Sequence, residues 1–325
     1  MARYLITGAA GFIAARVTEL LLAEGHSVVG VDDLNDAYDV RMKEYRLRKL
    51  VGLPGFTFQR LDISERGQMN ALAGEIGYVD AVINLAARAG VRSSVENPWV
   101  YYSTNVTGTL NLLDLCQRKG IGKFVLASSS SVYGADPPLP TPEEADTDHP
   151  LQPYASSKKA AENLCYTYHS LYGLDVTVFR FFTVYGPAGR PDMVMFRFAQ
   201  WISEGRTVRL NGDGQQRRGF TYLDDIARGT ILGLKPVGYE IINLGGHQVI
   251  DINELIGMIE QRVGKTARIE HLPRHPADAS VNYANVEKAR RLLGWEPRVT
   301  MEEGVSNLVN WYLAERSWAS QVATP

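Results

Sequence analysis

The stretch Gly8-Ala9-Ala10-Gly11-Phe12-Ile13-Ala14 decides the fold. Before it, Arg3–Thr7 has the apolar, β-branched character of a buried strand. After it, Ile13, Val17, Leu20 and Leu21 recur at helical spacing until Gly25. The glycines allow a tight turn and a close backbone approach. The helix start then presents unsatisfied amides and a positive dipole end, which suit a pyrophosphate. Asp32 ends the next β-rich run, 21 residues beyond Gly11, where a carboxylate binds a ribose hydroxyl pair and repels a 2′-phosphate. The spacing is GxxGxxA, with Ala14 where a third glycine could sit. In this context it predicts an NAD site, and NAD over NADP.

Working outward, Ser27–Asp32, Phe56–Leu61, Val79–Leu85, Phe124–Ala127 and Val176–Phe179 read as further strands. Long helical segments are expected around Asn97–Lys119 and Tyr154–Tyr172. This alternation predicts an α/β fold: a Rossmann-type doubly wound parallel sheet over residues 1–180, covered by helices on both faces. After Arg180 the segments shorten and Gly and Pro become frequent. Residues 181–325 are therefore expected to form mainly a smaller C-terminal substrate-binding lobe, with segments near 216–245 returning to the sheet. Helical patterns recur at Ile252–Val263, Val286–Leu293 and Met301–Glu315.

Composition narrows the function. The 325 residues carry 34 basic and 36 acidic side chains, a net charge of −2, so no basic excess exists to track a nucleic acid. No apolar run suits a membrane span, and no signal peptide is evident, which predicts a cytoplasmic protein. Cys116 and Cys165 read as buried small hydrophobes. His271 and His275 are separated by Pro273, which argues against a helical metal pair, so no metal site is expected. The basic run Arg41–Lys49 reads as a solvated helical face near the cofactor adenosine. Tyr101 and Tyr102 read as helix packing.

Two further motifs carry chemistry. In Tyr154-Ala155-Ser156-Ser157-Lys158, a helix starting after Pro153 stacks Tyr154 and Lys158 one turn apart. An ammonium beside a phenol is expected to stabilise the phenolate, making Tyr154 a usable base. The run Ser128–Ser131 stands at the carboxyl end of a strand, where open α/β sheets bind ligands.

Fingerprint, serine run and YxxxK together resemble the extended short-chain dehydrogenase/reductases, specifically the nucleotide-sugar epimerases and dehydratases, across essentially the whole chain. AGVRSSVENP (Ala89–Pro98), RFFTVYGPAGRPDM (Arg180–Met193) and GFTYLDDIARG (Gly219–Gly229) look most like the UDP-glucuronate 4-epimerases within that family. The resemblance implies Ser129, Tyr154 and Lys158 as catalytic residues. It implies tightly held NAD contacted by Gly8, Gly11, Phe12, Ile13, Asp32, Asp33, Asn35, Asp62, Ile63, Leu85, Ala86, Ala87, Asn105, Tyr154, Lys158 and Phe181. A UDP-sugar would meet Arg92, Ser130, Ser131, Thr183, Arg190, Arg209, Asn211, Arg218 and Asp278. Three positions depart from the pattern: Gly219 replaces an acid, Arg88 a glutamine, and His275 a glutamine or arginine.

The implied reaction oxidises the sugar at carbon 4 and returns the hydride to the opposite face. Related dehydratases place an Asp-Glu pair after the catalytic hydroxyl, and decarboxylases a glutamate. Here Ser130 and Ser131 offer no general acid or base near neutral pH. Conversion of UDP-glucuronate to UDP-galacturonate is thus expected, an isomerase activity, with a UDP-glucose/UDP-galactose 4-epimerase as the alternative and a non-catalytic NAD sensor behind it. A homodimer is expected.

Overall fold

In the computed structural model, which describes residues 1–246, 248–273 and 281–324, seven strands form one parallel sheet. Its chain order begins β1 (Arg3–Thr7), α1 (Phe12–Ala23), β2 (Ser27–Asp32), α2 (Arg41–Leu50), β3 (Phe56–Arg60), α3 (Arg66–Glu75) and β4 (Ala81–Asn84). Then come α4 (Val91–Glu96), α5 (Trp99–Tyr101), a π-helical segment (Tyr102–Thr107), α6 (Gly108–Lys119), β5 (Lys123–Ser129), α7 (Pro153–Tyr172) and β6 (Asp175–Phe181). Next come β7 (Thr183–Tyr185), α8 (Val194–Ser203), β8 (Thr207–Asn211), β9 (Arg217–Tyr222), α9 (Leu223–Leu232) and β10 (Tyr239–Leu244). The chain closes through β11 (Val249–Asp251), α10 (Ile252–Val263), β12 (Arg268–Leu272), β13 (Val281–Asn282), α11 (Glu287–Leu293), α12 (Met301–Ala314) and α13 (Arg316–Ala319).

The strand order β10-β6-β5-β4-β1-β2-β3 reverses between β1 and β4, which opens a crevice at their carboxyl ends. The expected Rossmann-type sheet is borne out, and β10 returns to pair with β6. One apolar core joins the sheet to α3, α6 and α7 through Met69, Leu112, Cys116, Ala161 and Cys165. The other joins it to α1, α9 and α11 through Val17, Leu21, Ile226, Ala227 and Leu293. Both cysteines are buried and unpaired, as expected. A third core, under α8, α10 and α12, belongs to the lobe, where short strands form a sheet around β9 and a β8–β12 pair.

One expectation needs refining and another fails. The helix expected over Asn97–Lys119 runs unbroken from Trp99 to Lys119, but winds as a π-helix over Tyr102–Thr107, where Asn105 turns inward and bonds across the chain. The run Arg41–Lys49 is not a solvated face. Lys43 and Arg46 on α2 are buried, and the Arg46 guanidinium donates to the carbonyls of Ala10, Ala188 and Gly189. Charge in a helix lies outside only when nothing inside needs it, and here backbone oxygens from both halves do. No helix among the described residues is long and apolar enough to cross a membrane.

Candidate active site

The crevice is a cavity of about 1750 Å³. That exceeds the roughly 300–1,000 Å³ of a site for one drug-sized ligand. At its sheet end Gly8 adopts φ +70°, and a Cβ there would lie 2.8 Å from the backbone of Ala86. Gly11 caps α1 without a side-chain bond, and its own Cβ would sit 2.7 Å from the Gly8 carbonyl. Side chains are thus excluded from the turn, and the first amides of α1 face the cavity, a cradle that fits a diphosphate. Asp32 accepts the amides of Ala10 (3.1 Å) and Leu34 (2.8 Å). Burial raises its pKa, and Lys43, 3.7 Å away, opposes that shift. Asp33 accepts from Asn35 and lies 3.8 Å from the same lysine. Asp62, Ile63, Leu85, Ala86, Ala87, Phe12, Ile13 and Phe181 line the same space. Groups that fit a dinucleotide are therefore present along one wall.

Beyond it, β5 ends at Ser129, whose hydroxyl accepts the Ser131 amide at 3.2 Å. Pro153 begins α7, its fixed φ suiting a first helical position, and this places Tyr154 opposite that serine. Tyr101 packs edge-on against the Tyr154 ring at 6.1 Å. Burial raises the Tyr154 pKa, opposed by the Ser129 hydroxyl and the Arg190 cation. Lys158 is buried one turn along, its ammonium donating to the Ala127 carbonyl at 2.8 Å. Burial pulls Lys158 down to about 8, with Glu162 opposing. The expected picture, in which the lysine ammonium lowers the phenol, is corrected: the tyrosine is shifted upward, and the protein cation that opposes the shift is Arg190.

The opposite wall comes from the lobe. Arg190 pairs with Asp192 (Nε–Oδ1 3.0 Å) and reaches the Ala89 carbonyl at 3.4 Å. Asn211, its amide oxygen turned to Arg92, accepts from that guanidinium at 2.8 Å. Arg209 lies 3.4 Å from Glu270, and Arg218 donates to the Arg217 carbonyl. Arg92, Arg190, Arg209, Asn211 and Arg218, with Ser130, Ser131 and Thr183, line the cavity.

One of the expected contacts is not brought here. Asn105 does not line the cavity; its amide accepts the Arg88 amide at 2.9 Å and donates to the Arg88 carbonyl and Ser157 hydroxyl, bracing the loop after β4. Asp278, like His275, lies outside the described residues. The glycine at 219 has a physical reason: a Cβ there would lie 2.8 Å from that of Tyr283 and 3.0 Å from the Gly246 carbonyl, so no acid fits. Sequence reasoning missed Tyr38, Lys43, Asp192, Arg197, Trp201 and Gln216, all of which line the cavity. Only Lys43 left a signal, as a cation spaced toward the apolar face of α2 alongside Met42 and Leu50.

The model of the NAD dependent epimerase/dehydratase family matches residues 4–245. A UDP-glucuronate 4-epimerase of Thermodesulfobacterium geofontis is 55% identical over 96% of each chain. The crystal structure of UDP-glucuronic acid 4-epimerase from Bacillus cereus, in complex with UDP-glucuronic acid and NAD, superposes with a TM-score of 0.89 at 33% identity, over 96% of this chain and 99% of that one. A UDP-glucose 4-epimerase of Thermotoga maritima with UDP-glucose gives the same TM-score at 29% identity, over 97% and 99%. The chain described here belongs to the NAD dependent epimerase/dehydratase family.

Proposed function

We infer that the protein epimerises UDP-glucuronate at carbon 4 to UDP-galacturonate, using NAD that it holds through each cycle. One observation carries the reading: a tyrosine–serine–lysine set opens into the same cavity as the glycine turn and a neutral hydroxyl cluster facing Arg190. Gly8, Gly11, Phe12 and Ile13 would hold the cofactor diphosphate, and Asp32, Asp33 and Asn35 a ribose. Asp62 and Ile63 would meet the base, with Leu85, Ala86, Ala87 and Phe181 along the rest. NAD, when bound, supplies the acceptor for the carbon-4 hydride and a positively charged ring.

The chain's own residues do the rest. As the phenolate, which the positive ring of bound NAD would favour, Tyr154 would take the proton of the sugar 4-hydroxyl while Ser129 donates to that oxygen. Arg92, Arg209, Asn211 and Arg218 grip the nucleotide end, leaving the oxidised sugar free to turn about its phosphate link before Tyr154 returns the proton. Ser130 and Ser131 can donate hydrogen bonds but cannot act as acid or base near neutral pH, so elimination of water finds no catalyst. Thr183 and Arg190 join them around the carboxylate, which must recover hydrogen bonds on leaving water.

The lobe is proposed to serve as the UDP-sugar-binding part and residues 1–180, with β10, as the NAD-binding part. Two copies are proposed to pair through α6 and α7, which expose Leu110, Tyr166, Leu171 and Tyr172 on neighbouring helices. Incubating the purified protein with UDP-glucuronate or UDP-glucose, without added NAD, and separating the products tests the activity. The expected product is UDP-galacturonate with little UDP-pentose; faster turnover of UDP-glucose would transfer the assignment to a neutral-hexose epimerase.

A further inference from the structure

Tyr154, Lys158 and Glu162 stand at successive four-residue steps on one face of α7, and the last two grip the end of β5. The phenol shares the cavity with Ser129, the ammonium donates to the Ala127 carbonyl, and the Ser128 hydroxyl donates to Glu162 Oε1 at 2.6 Å. Behind this ladder, Arg180 on β6 clasps the same carboxylate with Nε at 3.0 Å and Nη2 at 2.8 Å. The pair is almost fully buried, with side-chain exposures of 2% and 1%. Arg180 also donates to the Glu143 carbonyl at 3.0 Å and lies 4.8 Å from the centre of the Tyr133 ring. Tyr133 in turn donates to Asn243 at 2.6 Å.

A buried ion pair is a weak device for stability, since apolar residues of the same volume often do as well. It is a strong device for fixing one geometry, because every partner must be satisfied at once. We propose that Glu162, clasped by Arg180, is a positioning residue for the reaction: it sets the register of α7 on β5, and so of Tyr154 on Ser129, and places a negative charge one helical turn from Lys158. This rests on the reading of Tyr154 as the base. The groups facing Lys158 are Tyr154 and Glu162 on its own helix, the Ala127 carbonyl and Ser128 hydroxyl on β5, and Arg180 on β6 behind the carboxylate. Tyr133 lies beyond Arg180, and Tyr101 touches Tyr154. The carboxylate of Glu162 is the charge that opposes the downward pull of burial on the lysine.

Two variants separate register from charge. Glu162→Gln/Arg180→Met removes both charges and leaves the Ser128 hydroxyl an acceptor. Lys158 then loses the carboxylate that favours its protonated form. The fall of kcat with rising pH should begin about one pH unit lower, with KM for UDP-glucuronate unchanged. Ser128→Ala removes only one rung, and should lower kcat about threefold to tenfold with the alkaline limb unmoved. A merely structural pair would lower the melting temperature in the first variant and leave its pH profile where it was. If both variants keep their bound NAD, the wild-type kcat and the wild-type alkaline limb, the proposal is overturned. Should the charge-free variant not fold, wild-type kcat in Ser128→Ala overturns the register role by itself. Tyr154→Phe, run alongside, distinguishes the two failures: full activity there removes the base itself, not the residue that positions it.

Discussion

Helix α1 starts at Gly11 with no side chain over its first amides, whereas α10 starts at Asp251 inside a complete capping box with Glu254. Both helices have the same four orphan donors to satisfy. At α10 Asp251 accepts the Glu254 amide at 2.8 Å, Glu254 accepts the Asp251 amide at 2.9 Å, and the Gly214 carbonyl accepts the amides of Ile252 and Asn253. At the sheet the donors are left for something else, and the glycines keep any Cβ out of the way. The same contrast runs through both walls of the cavity. The sheet wall offers backbone and short side chains at strand ends, in fixed register. The lobe wall offers long cations on short strands and loops, several already paired, as Arg190 is with Asp192. One wall is shaped by what is omitted and the other by what is held in reserve.

The most severe break in this arrangement is Tyr154→Phe. It removes one oxygen from the sheet wall and nothing from the lobe, so turnover should fall about a hundredfold to ten-thousandfold. NAD and UDP-sugar should still bind, measured as nucleotide released on denaturation and by calorimetric titration with UDP-glucuronate. Near-normal turnover would remove the tyrosine from the chemistry.

Gly8→Ala attacks the omission itself. The new methyl would meet the Ala86 backbone at 2.8 Å in a conformation, φ +70°, that L side chains rarely adopt. The variant is expected to leave purification with most of its NAD missing and about one to two orders of magnitude less activity before NAD is supplied. Retention of a full complement of NAD would mean the turn is only a structural bend.

These two residues were legible in the sequence because their signals are local. The GxxGxxA turn sits between a strand and a helix that periodicity alone delimits, and strands Arg3–Thr7 and Ser27–Asp32 came out with the bounds the structure has. The Tyr154–Lys158 pair needs only a helix. What could not be read was anything set by contacts across the chain. Arg46 looks like a solvent charge until Ala10 and Ala188 arrive from elsewhere to accept its protons. The helix through Asn105 looks evenly wound until that side chain is drawn onto the Arg88 backbone. Burial likewise reversed the expected shift of Tyr154, since spacing says which groups are neighbours but not how much water they lose.

The lobe wall is expected to fail more gently. Replacing Thr183 or Arg190 by Ala withdraws one donor from a substrate carboxylate, and bonds to a charged group contribute about 1.5–3 kcal/mol each. Use of UDP-glucuronate should weaken about tenfold to a hundredfold while UDP-glucose is barely touched. Because Asp192 occupies Arg190, Arg190→Ala also leaves that carboxylate unpaired, so its effect should exceed that of Thr183→Ala. Equal losses on both sugars would place the carboxylate elsewhere in the cavity.

The smallest effect returns to the two helix starts. Asp251→Ala opens the amides of α10, which lie at an exposed surface where water can replace the lost cap. The cost is the usual one for an N-cap, about 1 kcal/mol. For a chain of this length that lowers the melting temperature by about 1–2 °C, while kcat, KM and bound NAD stay at wild-type values. Gly11→Ser does the opposite at α1. A hydroxyl at the N-cap would satisfy an orphan amide and favour the helix by itself, but its Cβ must press on the Gly8 carbonyl, and its oxygen would occupy the place a diphosphate oxygen takes. Calorimetry of the two variants, each with its NAD content measured, separates the roles. Loss of stability without loss of NAD at α10, and loss of NAD at α1, would establish that the missing cap at Gly11 is the binding feature. If Gly11→Ser keeps its NAD, the diphosphate is not held by the start of α1, and the glycine is there only because Gly8 comes so close.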